Sequence, residues 1–221
     1  MYTKNHDFDK FWHSLEGILA AVPSTDIVFN QYRDYDDQID LPIAATIRMR
    51  NLQRYLAEAT KTASILVVGE SAGPWGSRFS GIPFTGERQL LDPSFPFHGE
   101  RSSKDNPDLP SRYTPPFISG SAKIFWEVML PYYGRFLIWD AFPFYPHCKP
   151  TKGEVSQFGE ALQLIKAYIK PKKIVAVGMK ASEELDSLGE DSTCVRHPAQ
   201  GGKIKFTLGM QKIFNCKEEK C

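Results

Sequence analysis

Four cysteines, Cys148, Cys194, Cys216 and Cys221, are all that the 221 residues contain, with no C-x-x-C pair and no histidine at metal-ligand spacing. A zinc or iron–sulfur centre therefore has little support, and free thiols in a reducing compartment are the simpler reading. Long apolar runs are missing as well. No stretch approaches the roughly 20 residues that cross a bilayer, and Met1–Lys10 lacks the apolar core of a secretory signal. The expectation is a soluble, cytoplasmic protein with no membrane partner. Excess charge is also scarce: the net is +1, with 6 Lys/Arg against 9 Asp/Glu in residues 1–60 and 12 against 9 in residues 151–221. That mild basic drift is compatible with a nucleic-acid face and is too small to establish one. Neither an internal repeat nor a low-complexity tract is present.

What the chain does have is core material. With 42% hydrophobic and 13% aromatic residues it can fill one α/β domain spanning residues 1–221. Asp7 to Ala21 sets Phe8, Phe11, Trp12, Leu15, Ile18 and Leu19 on one helical face, and a second helix from Pro42 does the same with Ile43, Ile47, Leu52, Tyr55, Leu56 and Ala59. Residues 1–60 thus read as a helical segment packed on the core, with Arg48, Arg50 and Arg54 as its solvated face. The acidic, tyrosine-rich residues 24–42 read as a loop. Strands are expected at Ile65–Val68, Phe136–Trp139, Ile174–Val177 and Thr193–Arg196, and helices at Ser121–Leu130, Lys152–Lys170 and Met179–Leu188. Residues 91–118, rich in proline, read as a long irregular excursion. Strands alternating with helices imply a three-layer α/β/α architecture around a four-stranded parallel core sheet.

In an open sheet of this kind ligands bind beyond the carboxyl ends of the strands. Three strand exits line that rim: Gly69–Gly86, Asp140–Pro143 and His197–Lys203. Within the first, Gly69-Glu70-Ser71-Ala72-Gly73 matches the G-x-S-x-G nucleophile elbow, and Asp140 and His197 follow in the order of an esterase triad. An elbow runs straight into a helix, however, and Pro74, Gly76, Gly81 and Pro83 forbid a regular helix for about a dozen residues. A domain that binds nucleic acid or a nucleotide without cleaving it is a further possibility.

Taken together, the segments strand-GESAGPWG, GIPFTGE, strand-DAFP, VGMKA and RHPA run in order from Ile65 to Lys203 and resemble the uracil-DNA glycosylase superfamily, especially its single-strand-selective monofunctional branch. The resemblance implies a monomeric DNA glycosylase that hydrolyses the N-glycosidic bond of a flipped-out damaged or deaminated base, in single- or double-stranded DNA, without metal or cofactor. It makes Phe84 the ring that stacks on the base and His197 the donor to the base as negative charge develops. Backbone N–H groups of Gly69, Glu70, Ser71 and Ala72 would add donors. Asp140 would read the base edge, and Pro198, Gln200, Gly201, Gly202 and Lys203 would lie against the DNA. Two positions depart from the family pattern. Ser71 stands where an Asp or Asn orients the attacking water, so the water is either unassisted or served by Glu70. Asp140 stands where an Asn reads the base: ionised it accepts only, suits a guanine-type edge and is expected to release uracil weakly, whereas protonated by burial it imitates asparagine and suits uracil.

Overall fold

The computed structural model describes residues 2–109, 114–148 and 158–215. In chain order its first half runs α1 (Tyr2–Ala21), β1 (Val28–Phe29), α2 (Ala44–Ala59), β2 (Ile65–Ser71), α3 (Ser77–Ser80) and α4 (Glu87–Leu90). The second half runs α5 (Gly120–Met129), β3 (Phe136–Phe142), β4 (Tyr145–Pro146), α6 (Glu160–Ile169), β5 (Lys173–Val177), α7 (Met179–Ser187), β6 (Thr193–Val195) and α8 (Lys203–Asn215). The aliphatic run Leu66–Val68 has no polar face to offer water, and it takes the middle of a four-stranded parallel sheet ordered β3-β2-β5-β6 with helices around it. Leu15 of α1, Leu52 of α2, Phe125 of α5, Ile165 of α6 and Phe206 of α8 join the sheet in one apolar core, all fully buried.

The central strands are longer than their apolar runs. β2 continues through Gly69 and Glu70 to Ser71, and all seven residues of β3 are buried, so Asp140 lies inside a strand instead of in a loop after it. The reason is mutual pairing: Gly69 faces Asp140 and Ser71 faces Phe142, whereas β5 stops pairing with β2 at Val68. A glycine that ends one ladder does not end the other.

Three more expectations need correcting. The segment after Gly73 does contain a helix, the single turn α3, which fits between Gly76 and Gly81 (φ +78°). The helix expected over Lys152–Lys170 begins only at Glu160, after a turn at Phe158 and Gly159, and ends at Ile169; residues 152–157 lie outside the described ones. Arg48 is fully buried, not solvated. Its guanidinium pairs with Asp40, which also takes Nη1 of Arg78 at 3.0 Å and Nη2 at 3.3 Å. Beside them Glu87 accepts five hydrogen bonds from Ser102, Ser103 and the Phe117 amide. Two buried cations thus face two buried anions, which keeps the cost of burying charge low. The cluster ties α3, α4 and the excursion that carries Ser102, Ser103 and Phe117 to α2. Asn51 of α2 extends the clamp by donating to Ser80 O (3.0 Å) and Glu100 O (2.9 Å).

Candidate nucleotide-binding site at the strand ends

Where β2 and β3 outrun β5, three side chains meet. Asp140 is 3% exposed, and its carboxyl has no hydrogen-bond or ion-pair partner among the described residues. Burial, reinforced by the negative charge of Glu70, pushes its pKa up to about 8, so at neutral pH it is mostly a neutral acid. Opposite it, Gly69 must be glycine: a Cβ there would lie 2.7 Å from Cε2 of Phe84 and would also strike the Asp140 carboxyl. Phe84 has φ +49°, a left-handed conformation that costs a residue with a Cβ roughly 1–2 kcal/mol. Its ring is held by stacking on Phe125 (centroids 4.5 Å apart, 14° between planes) and is 5.8 Å from the ring of His197.

The imidazole is set by its own loop. His197 Nδ1 accepts a hydrogen bond from the Ala199 amide at 3.2 Å, which leaves the proton of the neutral ring on Nε2. Burial first, and then Arg196, lowers its pKa, which favours the neutral form at pH 7. The arrangement also speaks against an esterase. In a Ser-His-Asp triad Nδ1 donates to the carboxylate, but here it accepts from a backbone amide, and Ser71 ends a strand six residues before the next helix begins.

These groups share a cavity of about 390 Å³ that Glu70, Ser71, Phe84, Asp140 and His197 all line. A second cavity of about 670 Å³ adjoins it through Glu70 and His197 and adds Lys180, Arg196 and Gln200. Glu70 Oε1 accepts from Lys180 Nζ of α7 at 2.9 Å. Of the expected backbone donors, Ala72 N–H is already committed to Phe144 O at 3.3 Å. The first cavity also holds Ser77, Ser119, Ser121 and Tyr145, which the sequence reading did not single out. Ser119 carried a readable signal: it is the N-cap of α5, its Oγ accepting from the Ala122 amide at 3.1 Å.

The turn after His197 has a buried base and an exposed tip. Pro198 and Gly202 are buried, whereas Gln200 (φ +51°) and Gly201 (φ +73°) are exposed. Lys203 belongs to α8, and its ammonium meets Glu127 at 2.5 Å, so it is not a free cation. The bulky apolar residue missing from this turn stands just past it: Ile204 is 72% exposed. Among the described residues no group of three or more His, Cys, Asp or Glu could hold a metal ion, and no helix is long and apolar enough to cross a membrane.

No curated protein matches the chain. Among solved structures, wild-type SMUG2 of Pedobacter heparinus superposes with a TM-score of 0.61 over 93% of this chain and 95% of its own, at 15% identity, which shows a shared fold. The family model described as the uracil DNA glycosylase superfamily matches residues 57–215, the stretch that carries every residue of the site above, and the chain therefore belongs to that superfamily.

Proposed function

We propose that the protein is a monofunctional DNA glycosylase that flips a damaged or deaminated base into the 390 Å³ cavity and hydrolyses its N-glycosidic bond. The observation that carries this reading is the meeting of Asp140, Phe84 and His197 at one cavity: an unpartnered edge reader, a ring held face-on by Phe125, and a neutral imidazole with its N–H on Nε2. The base lies on Phe84. His197 Nε2–H donates to the base carbonyl as the C1′–N bond breaks and the electron pair leaves with the base. A donor aimed at developing charge in a dry site acts without having to reorganise during the reaction.

The protonated state of Asp140 selects between the two edges weighed above. As a neutral acid its C=O accepts the N3–H of uracil while its O–H donates to O4, so it serves as an asparagine would. Uracil-type bases are the preferred substrates at neutral pH. A guanine-type edge with two adjacent donors gains only when Asp140 ionises.

The test is a panel of oligonucleotides carrying uracil, hydroxymethyluracil, hypoxanthine, xanthine or a guanine mismatch, in single and double strands, scored for strand breakage after alkali. Release of a uracil-type base supports the reading. DNA binding without release of any base would make the chain a binding protein instead.

A further inference from the structure

Ser71 offers no base at the position where the family carries one, yet one carboxylate lines both cavities. Glu70 is held there by Lys180, whose side chain is 56% exposed against 29% for Glu70. Lys180 is the second residue of α7, at the end where the helix dipole disfavours a cation, and Glu183 and Glu184 one turn on partly offset that. An ion pair this open to water is worth only about 0–1 kcal/mol. A phosphate entering the 670 Å³ groove, with Arg196 on its wall, competes with Glu70 for Lys180 on nearly equal terms.

We propose that Lys180 is a latch that the substrate releases: a phosphate of the DNA backbone takes the Lys180 ammonium, and the freed Glu70 carboxylate serves the water that attacks the sugar. The inference rests on the glycosylase reading and supplies the part that Ser71 cannot. The water oxygen bonds to C1′ as the C1′–N bond breaks. The bonding pair leaves with the base, whose carbonyl is held by His197 Nε2–H, and the water proton passes to Glu70 and then to solvent. Before that, the unmasked carboxylate faces the positive charge growing on the sugar. Freeing Glu70 has a second consequence, because after burial its charge is what keeps the proton on Asp140. Gripping the backbone and reading the base edge become one event. The charged groups involved come from β2 (Glu70), β3 (Asp140), α7 (Lys180) and the turn after β6 (Arg196, His197).

Single-turnover release of the base identified by the panel, measured across pH, tests the latch. Glu70→Gln should slow release about 10²-fold, the lower end for loss of a general base, with DNA affinity no weaker than the wild type's, because Lys180 loses its competitor, and with the acidic limb of the rate profile gone. Glu70→Asp should restore part of both. Replacing backbone phosphates one at a time by uncharged methylphosphonates should reveal one position that slows the wild type and leaves Lys180→Met unaffected. Glu70→Gln releasing base as fast as the wild type overturns the latch alone, as does a methylphosphonate scan that is the same in both proteins. A wild type that releases no base overturns the glycosylase reading and the latch together.

Discussion

Two of the places where this molecule buries acids treat them oppositely. Behind the loop that precedes α4, Asp40 and Glu87 are saturated by two arginines, two serine hydroxyls and four backbone amides. At the strand ends Asp140 is 3% exposed and has no such partner among the described residues. A buried polar group without a partner costs roughly 1–3 kcal/mol, so the first arrangement serves the fold and the second is kept open for something that arrives. Hydrogen-bond accounting separates these structural carboxylates from the one proposed to read the base, which residue type and burial do not.

The comparison can be broken first on its structural side. Asp40→Ala leaves Arg48 and Arg78 buried without their shared anion and should cost about 3–5 kcal/mol of stability in urea unfolding. A loss near zero would mean that the cluster does not hold the loop. On the functional side, His197→Ala should lower single-turnover base release about 10²–10³-fold while DNA affinity, measured by anisotropy, stays the same. Equal loss of both would remove His197 from the chemistry.

Asp140 sharpens the contrast through pH. Its folded pKa of about 8 lies above the ordinary aspartate value of 3.8, so its favourable contribution is complete below the unfolded value and is lost as pH rises toward and through 8. Asp140→Asn abolishes that loss. The variant's melting temperature should therefore exceed the wild type's by a margin that grows between about pH 4 and 8 and then levels off. Uracil release by the wild type should fall above pH 8, and release by the variant should persist there. The smallest effect belongs to Ser71→Ala, which should leave release and stability within about 0.5 kcal/mol of the wild type, because the proposed mechanism uses Ser71 as neither nucleophile nor base. Rapid labelling of Ser71 by an organophosphonate would contradict this.

The four parallel strands were legible because each rests on local pattern, a short run of apolar or β-branched residues, whereas their order in the sheet was not read from the sequence. What escaped depends on distance in sequence. Arg48 looks like any helix-face arginine until Asp40 and Arg78 close over it, 8 and 30 residues away. The extension of β2 through Ser71 needs β3, about 70 residues on, to supply the ladder. α8 was missed outright: Phe206, Met210 and Phe214 do recur at helical spacing, but the polar residues among them masked the pattern. Weak uracil release was expected of Asp140, but burial and the charge of Glu70 raise its pKa to about 8 and favour the neutral acid, which only the packing of β2 against β3 reveals.

Gly202 constrains how relatives of this protein can diverge. A Cβ at that position would run into the carbonyl of His197 and come within 2.9 Å of the carbonyl of Ala199, so the first turn of α8 and the peptide of the histidine interlock. Gln200 and Gly201, by contrast, stand in the open. Insertions have room at those two residues, whose left-handed backbone favours glycine or asparagine, and a graft that replaces Gly202 has to move the histidine with it. For anyone transplanting this turn between scaffolds, the portable unit begins at His197 and ends at Gly202.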